Sequence, residues 1–427
     1  MISRSLRALW QHFLTDTLFR NSIYLMITTG IMGFFGFFFW IICTHIFTPN
    51  QIGLGTTLIS AMSLISFISL LGFNTTLVRF LPSSQNRNND INTGTLLVTG
   101  AAALIATIYV LVIPSITPTL DIVQQNFWYS ALFVLMVTIA TINSLTDSIF
   151  IAYRSAHFNL LTNGFITSST KLVLPVVLAS LGAYGVFASV GLASTIGVTA
   201  GFIILFFKFN YRPRLRIDIS VLKKVFRYSF TNYLSNLINI IPTLILPIII
   251  IDHLGAAAAG YYYLAFMIIN LLYTVSGSVS QSLFAEGSYA ESALYNLIKR
   301  SLIILVAIMV PAGLVLALFG PWVLNIFGKS YSAGGGDVIA ILAIAAPAVA
   351  AYNLGNTILK IRQQMYSVFA ISVVYSLAIS GLTLYWVDKG LIWVAIAWTV
   401  GNAIAAIFAF IAIYTNRHAP TPVAISQ

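Results

Sequence analysis

The strongest constraint on this chain is a series of twelve apolar runs, each about as long as a transmembrane helix. They cover residues 22–46, 52–73, 93–114, 127–150, 160–181, 185–207, 229–251, 259–283, 301–320, 337–358, 365–387 and 391–414. A helix needs about 20 mostly apolar residues to cross a bilayer, whereas the strands of a membrane barrel are shorter and alternate apolar with polar positions. The runs predict an all-α polytopic membrane protein with twelve transmembrane helices, which we number spans 1 to 12.

The composition excludes the other broad classes of protein. Hydrophobic residues make up 59% of the chain and charged residues only 7%, whereas soluble domains are about a quarter charged. Disordered chains combine low hydrophobicity with high charge, which is the opposite pattern. The first apolar run is also longer than the 7–15 residues of a cleaved signal sequence, so we interpret it as a membrane span.

The distribution of basic residues predicts the orientation in the membrane. With the N-terminus in the cytoplasm, eighteen of the 21 lysines and arginines fall on cytoplasmic segments, and only Lys329 and Lys389 fall on the outer face. Cytoplasmic loops of membrane proteins carry such an excess. We therefore expect a multi-pass protein of the cell (plasma or inner) membrane with both termini in the cytoplasm. The net charge of +11 then requires no nucleic-acid partner.

An internal repeat of about 207 residues divides the chain into two halves. The turn after span 1 ends at Gly53 and the turn after span 7 ends at Gly260, 207 positions later. Each half has six spans, so both share one orientation and form a parallel, pseudo-symmetric repeat. The predicted parts are five. An N-terminal cytoplasmic segment, 1–20, is expected to lie on the membrane surface. It is followed by an N-lobe at 21–207, a basic linker at 208–228, a C-lobe at 229–414 and a cytoplasmic tail at 415–427.

Two matching bundles suggest a transporter that rocks one half against the other, and helices interrupted at matching positions indicate where it bends. Span 1 carries Gly30, Gly33 and Gly36. Span 7 carries Pro242 and Pro247, which the repeat places beside these glycines. Proline kinks a helix and the glycines make it compliant, so we predict a hinge here. The alternative is that these residues serve helix packing.

Polar side chains recur at matching places in both halves. The repeat aligns Ser63 with Asn270, Ser66 with Tyr273 and Ser69 with Ser276, and span 7 adds three asparagines on one helix face: Asn232, Asn236 and Asn239. Polar residues within the membrane face the bundle interior or a hydrated cavity. The asparagines, with Asn270, are therefore predicted to bind substrate in a hydrated cleft. Hydrogen bonding between helices is the alternative.

Lys171 is the most informative ionisable residue, because it lies about 11 positions into span 5, roughly 16 Å from the cytoplasmic end. It could pair with Asp147 in span 4, anchor an anionic substrate, or extend towards the membrane surface. Arg79 and Arg154 cluster with Asp147 at the predicted cytoplasmic mouth. Since guanidinium groups fit phosphate, we expect them to bind a phosphate head group; ordinary basic anchoring is the alternative.

No pattern in the chain indicates a metal or a cofactor. The five histidines lack ligand spacing, and the single cysteine, Cys43, cannot form a disulfide within the chain. The sequence also lacks the phosphate-binding motif of ATPases. We therefore predict no metal site, no cofactor and no built-in ATP-driven step. The sequence indicates no particular coupling ion.

Several short motifs resemble the O-antigen-type flippases of the multidrug/oligosaccharidyl-lipid/polysaccharide exporter superfamily. Their order and spacing persuade more than any one of them. They are 48–55, 71–82, 147–154, 255–265, 281–284 and 327–331. The resemblance implies two six-helix lobes that move a polyprenyl-phosphate- or pyrophosphate-linked oligosaccharide from the cytoplasmic to the outer leaflet for surface polysaccharide export. The expected partners are this anionic lipid-linked oligosaccharide and membrane lipids.

Two other functions remain open at this stage. The first is a multidrug or organic-cation antiporter of the same superfamily, which would favour buried acids to bind cations. Asp147 is the one acid in the interior of a predicted span, since Asp337 is counted on the outer face at the start of span 10. The second is a polytopic glycan polymerase or ligase, which we expect to carry a large outer loop. The longest predicted outer loops, 115–126 and 321–336, are too short for a domain. The sequence therefore favours a transporter over an enzyme.

Overall fold

The computed structural model describes residues 17–219, 221, 230–289 and 294–415. Within these ranges the regular structure is helical. Eleven helices are long and apolar enough to cross a membrane, and one bent pair of helices provides a twelfth span. The all-α polytopic fold with twelve spans is confirmed. Most of the predicted N-terminal segment, the tail and the second half of the linker lie outside the described residues.

The chain divides into two compact units, Met1–Leu234 and Ser235–Gln427. The first unit contains spans 1 to 6: Thr17–Ile46, Pro49–Ser69, Arg87–Ile116, Phe127–Ala152, His157–Val177 and Ala183–Phe209. Shorter helical segments lie between them at Phe73–Phe80, Leu81–Ser83, Pro118–Val123 and Ala179–Leu181.

Spans 7 to 12 form the second unit, apart from the first residues of span 7. Their helices are Phe230–Leu254, Ala256–Tyr289, Leu294–Asn325, the pair Lys329–Ile344 and Ala346–Ile361, Met365–Trp386 and Leu391–Thr415. A short helical turn, Val387–Lys389, joins spans 11 and 12. The division between the units falls after Leu234, inside span 7 and a few residues beyond the predicted linker.

The turn that begins span 2 shows why its motif has those residues. The Thr48 side chain accepts a hydrogen bond from the Gln51 amide, and the Gln51 side chain accepts one from the Thr48 amide. This capping box satisfies amides that the first helical turn leaves unpaired. Pro49 follows at a position where its missing N–H costs nothing. The motif at 48–51 therefore fixes a tight reversal between spans 1 and 2.

Span 10 is broken near its middle. The two helices of the pair meet at Ala345 with a bend of 43°. Pro347 has no amide hydrogen to donate to the carbonyl one turn earlier, which interrupts the helix. The Tyr273 hydroxyl donates to the Leu342 carbonyl over 2.5 Å beside the break. Broken helices at membrane depth often border binding sites in transporters.

Span 5 also departs from regular helix. Residues Leu160–Thr167 form a π-helix, which is rare and frequently marks functional sites. Span 6 packs closely against it at Gly197, where a Cβ atom would lie 2.0 Å from the Thr167 hydroxyl. A glycine at 197 therefore allows the approach of the two spans.

Matching hydrogen bonds occur within the two units. Ser66 in span 2 donates to the Val137 carbonyl in span 4, and Tyr273, its repeat counterpart in span 8, donates to the Leu342 carbonyl in span 10. Each bond joins the second and fourth spans of its own unit. This correspondence agrees with the parallel repeat inferred from the sequence.

The prediction of an outer loop at 321–336 is wrong. Span 9 continues to Asn325, and span 10 already begins at Lys329. The glycines responsible for the error are packing residues. A Cβ atom at Gly334 would lie 2.3 Å from the Tyr261 ring, and one at Gly320 would lie 2.6 Å from Ile339. These glycines let helices approach closely, which a loop does not require.

The first part of the basic linker is tied to span 3 by two buried side chains, Asn92 and Thr93. The Thr93 hydroxyl accepts from the Asp218 amide at 2.9 Å. The Asn92 carbonyl oxygen accepts from the Tyr211 hydroxyl at 2.7 Å and from the Arg214 amide at 3.1 Å. Its amide nitrogen donates to the Arg212 carbonyl. Burial raises the pKa of the Tyr211 phenol, so this hydroxyl stays protonated and available as a donor. The linker therefore leaves the first unit in a fixed direction.

Candidate functional site

The second unit contains a pocket of about 190 Å³ to which spans 7, 8, 10, 11 and 12 contribute side chains. Thr243, Tyr375 and Asn402 line it. Thr243 and Tyr375 lie eleven residues before the C-terminal ends of their helices, and Asn402 lies eleven residues after the N-terminal end of its antiparallel helix, about 16 Å along the axis in each case. The pocket therefore lies near the middle of the spans. Asn270, which the sequence predicts as a binding residue, also lines it and is exposed.

Aromatic side chains form much of the pocket wall. The rings of Tyr352 and Tyr375 stack with centroids 4.4 Å apart. Trp398 lies edge-on to Phe266 at 4.9 Å and parallel to Tyr273 at 6.4 Å. Ring pairs of this kind hold one another in fixed orientations. The wall therefore presents rigid aromatic surfaces.

Asn239 does not line the pocket but holds Tyr352, one of the rings of its wall, by a hydrogen bond. Its side-chain oxygen accepts from the Tyr352 hydroxyl, and its amide nitrogen donates to the Ser372 hydroxyl and to the Ser235 carbonyl, each at 2.8 Å. All the groups of Asn239 are thus engaged within the unit. The structure assigns it to hydrogen bonding between helices, which is the alternative named for the asparagine row, and its effect on a ligand would act through Tyr352.

The other two asparagines of span 7 do not join the pocket. Asn236 is exposed and is absent from the pocket lining. The side chain of Asn232 lies outside the described residues. Of the four predicted asparagines, Asn270 therefore lines the pocket, Asn239 supports it, and a binding role for the other two stays a prediction.

In the first unit, Lys171 packs against span 1. Its ammonium nitrogen lies 5.2 Å from the centre of the Phe39 ring, and Cys43 is close enough to interact with it electrostatically. Phe39 and Cys43 are both buried. Among the described residues, no carboxylate lies within ion-pair distance of Lys171. The lysine therefore lies inside span 5, six residues before the end of its helix at Val177, with an aromatic neighbour and, among the described residues, no acidic one.

Asp147 is engaged elsewhere. Its carboxylate accepts a hydrogen bond from the Asn163 amide, and Asn163 accepts one from Asn143 at 3.0 Å. Asn159 donates to the Asp147 backbone carbonyl. Asn159 and Asn163 belong to the first turns of span 5 and its π-helix, so this distortion places two amides against span 4. The structure brings Asp147 to these amides and not to Lys171, so the ion-pair interpretation gains no support.

Removing the central amide of this network tests how much it stabilises the fold. We expect Asn163→Ala to lower the stability by about 1–3 kcal/mol, because it leaves the Asp147 carboxylate and the Asn143 amide without their partner. The matched control is Asn50→Ala at an exposed position, which should change stability by about 0.5 kcal/mol or less. Thermal unfolding of the purified protein measures both. Equal midpoints for the two variants would contradict the structural role.

The predicted arginines lie at the ends of helices. Arg79 is exposed in the last turn of Phe73–Phe80. Arg154 is exposed just after span 4, with a positive φ of 53°, a conformation that favours glycine. Arg87 is held in place, since it donates to the Pro82 carbonyl and lies over the Tyr153 ring. Arg79 and Arg154 thus remain accessible to an anionic group, and such binding stays a prediction.

The predicted hinge residues lie in uninterrupted helices. Gly30, Gly33 and Gly36 are inside Thr17–Ile46, and Pro242 and Pro247 are inside Phe230–Leu254. A Cβ atom at any of the three glycines would meet nothing within 4 Å. Close helix packing therefore does not account for these glycines, and the hinge stays a prediction.

The open space around these glycines permits a clean test of the hinge. The triple variant Gly30→Ala, Gly33→Ala and Gly36→Ala creates no clash, and each alanine favours the helix by up to about 1 kcal/mol. We expect unchanged or higher thermal stability with transport slowed several-fold. The control variant carries Gly100→Ala and Gly381→Ala, which also meet nothing within 4 Å. Equal transport by both variants would exclude a need for flexibility in span 1.

Three features of the site were missed by reasoning from the sequence. The break in span 10 could have been found, because Pro347 lies centrally in the predicted run 337–358. The π-helix had no clear signal beyond the unusual density of polar residues in span 5. The aromatic wall was missed because tyrosine and tryptophan are common in spans, and their stacking depends on contacts between four helices.

Among the described residues, no group of three or more histidine, cysteine, aspartate or glutamate side chains could hold a metal ion. The pocket of the second unit is lined by uncharged side chains. Its chemistry is therefore that of hydrogen bonding and ring stacking.

A comparison with models of known protein families shows to which family the chain belongs. A family model described as polysaccharide biosynthesis protein matches residues 42–334, more than half of the sequence. The chain belongs to this family. A comparison with curated proteins gives no match. Membership of the polysaccharide biosynthesis family confirms the resemblance drawn from the motifs.

Several solved structures of transporters share the fold of this chain. An inward-facing multidrug resistance MATE family transporter of the MOP superfamily has a TM-score of 0.72 at 15% identity, covering 94% of this chain and 100% of that chain. The lipid II flippase MurJ, in an inward closed conformation, has a TM-score of 0.75 at 13% identity, covering 92% and 87%. A MOP superfamily transporter from Pyrococcus furiosus has a TM-score of 0.62 at 15% identity, covering 94% and 95%. At these identities the likeness concerns the fold.

Proposed function

We propose that the protein is a flippase that moves a polyprenyl-phosphate- or pyrophosphate-linked oligosaccharide from the cytoplasmic to the outer leaflet of the cell membrane by alternating access. Family membership supplies the link to polysaccharide synthesis. The likeness in fold to the lipid II flippase MurJ supports movement of a lipid-linked substrate. The proposal includes the predicted lobes, the basic linker and cytoplasmic termini.

The observation that carries this proposal is the position of Lys171. Charging a lysine inside a span with no acidic partner among the described residues is costly unless a ligand supplies the negative charge. A phosphate or pyrophosphate head group has that charge. The same position is unfavourable for an organic cation, because like charges repel.

The position of Asp147 also favours a flippase over an antiporter. An antiporter for organic cations would need a carboxylate that is free to bind its substrate. Asp147 already accepts a hydrogen bond from Asn163 in a network of amides. We therefore place the antiporter second. A glycan polymerase or ligase ranks third, since helix replaces most of the longest predicted outer loop.

Reconstitution tests the proposal directly. The purified protein is inserted into vesicles that contain a fluorescent lipid-linked oligosaccharide, and a membrane-impermeant quencher reports how much of the lipid has changed leaflets. We expect the accessible fraction to change only in vesicles that contain the protein. The proposal would be wrong if the fraction of lipid reached by the quencher matched that of empty vesicles for a range of such lipids. Transport of organic cations by the same preparation would then favour the antiporter.

A further inference from the structure

The pocket of the second unit has a lining whose chemistry specifies a ligand. Its residues are five aromatic side chains, three asparagines, two threonines and one valine, and every one of them is uncharged. A phosphate or a carboxylate would find no cation there. An organic cation could approach the aromatic faces, but it would leave the asparagine groups without hydrogen-bond partners. The lining therefore favours a neutral ligand that forms both hydrogen bonds and stacking contacts.

The amides match hydroxyl groups in particular. An asparagine side chain offers a donor and an acceptor together, and a hydroxyl group both donates and accepts. Asn353 donates to the Ser276 hydroxyl at 3.1 Å, so its amide is held in place. Asn270 has no hydrogen-bond partner among the described residues and is exposed to the pocket. Two amides of the wall can thus bind a ring bearing several hydroxyl groups.

Asn402 provides the most specific observation. Its amide nitrogen donates to the Trp398 carbonyl at 2.8 Å, which fixes its orientation. Its side-chain oxygen is fully buried and has no partner among the described residues. A buried acceptor without a donor costs about 1–3 kcal/mol, and Asn402 lines the pocket. A hydroxyl or amide hydrogen of a ligand would supply the missing donor.

The dimensions of the pocket suit one ring. Its volume is about 190 Å³, several times the roughly 30 Å³ that one water molecule occupies in the liquid. Because the pocket is open, further sugars of a glycan would extend out of it. The stacked pair Tyr352 and Tyr375 and the ring of Trp398 offer apolar faces of matching size.

We propose that this pocket binds one neutral sugar residue, a hexose or an N-acetylhexosamine, with Asn402 and Asn270 as its hydrogen-bonding groups and Trp398 and Tyr375 as its stacking surfaces. The inference rests on the proposed function, because the sugar would belong to the transported oligosaccharide. It adds a specificity site within the second unit, separate from the cation Lys171 in the first unit. The two sites then divide recognition, one for a neutral ring and one for a charged head group.

Binding of small glycosides tests this inference without transport. The full-length protein in nanodiscs is mixed with the methyl glycosides of a neutral hexose, an N-acetylhexosamine and a uronic acid, and saturation-transfer NMR reports binding. We expect a signal from at least one of the two neutral glycosides and none from the uronic acid. Asn402→Leu should weaken the signal about tenfold, because a site built around a hydroxyl group loses that much when the bond is removed.

Two further variants keep the result decisive. Asn270→Leu should weaken binding similarly, and it settles the matter if Asn402→Leu does not fold. Asn50→Leu, at an exposed position in the first unit, should bind like the unaltered protein. The inference is overturned if no neutral glycoside binds, if the uronic acid binds equally well, or if both pocket variants bind normally.

The vesicle assay separates this inference from the proposed function. If neutral glycosides bind in the pocket but no lipid-linked oligosaccharide changes leaflets, the sugar site stands and the flippase function fails. If lipids change leaflets while no glycoside binds and the pocket variants transport normally, the function stands and the sugar site fails.

Discussion

Replacing Lys171 with methionine should slow movement of the lipid-linked oligosaccharide by about tenfold to a hundredfold, because a hydrogen bond to a charged group is worth about 1.5–3 kcal/mol and about 1.4 kcal/mol corresponds to a factor of ten. Methionine keeps the apolar stem and most of the length of the side chain and removes the ammonium group. The ammonium group has no acidic partner among the described residues, so its loss should leave thermal stability unchanged or raise it. This combination of lost transport and retained stability distinguishes a ligand anchor from a structural group.

The vesicle assay measures transport, and thermal unfolding of the same preparation measures stability. Lys389→Met is the matched control, since this lysine is exposed near the end of span 11 and lies over the Trp393 ring. It should transport at the normal rate. Lys171→Arg keeps the charge and should retain more transport than the methionine variant. Normal transport by a stable Lys171→Met protein would show that Lys171 does not anchor the head group, and the main argument for the proposed function would fail.

The second large effect concerns stability. Gly185 lies in the first turn of span 6, where an added Cβ atom would be 2.3 Å from the Leu178 carbonyl oxygen. Backbone cannot rotate away as a side chain can, so Gly185→Ala must displace the turn that joins spans 5 and 6. We expect a loss of about 1–3 kcal/mol or more and a clearly lower thermal midpoint.

Gly381→Ala provides the control for this clash, because it adds the same methyl group to span 11 where nothing lies within 4 Å. Its stability should be unchanged or slightly higher, since alanine favours a helix over glycine. A Gly185→Ala protein as stable as the control would mean that the turn at 178–182 adapts easily.

The sequence was sufficient to predict the twelve spans. A polar backbone in lipid must form a helix, and a helix in lipid needs a long run of apolar residues, which is visible in the sequence. It also predicted the repeat, which the bonds of Ser66 and Tyr273 reproduce within the two units. These features depend on local composition and on spacing along the chain. The boundary errors arose where glycines such as Gly334 serve packing and not turns.

The candidate site was predicted only in part. Asn270 could be recognised from the repeat, since it aligns with a polar residue of span 2 and lines the pocket. Asn239 looks equivalent in sequence, yet its bonds to Tyr352 and Ser372 engage it inside the unit. The choice between binding and support depends on which neighbour a side chain meets, and helical spacing does not specify that neighbour.

The π-helix in span 5 has a consequence for the direction in which Lys171 faces. The hydrogen bonds of a π-helix run from residue i to i+5 instead of i to i+4, so each of its residues turns the chain by less than an α-helical residue does. Lys171 follows four residues later, and substitutions that returned residues 160–167 to a regular α-helix would rotate it away from Phe39. A stretch that looks like ordinary membrane-spanning sequence thus determines, through its winding, which neighbour the lysine meets.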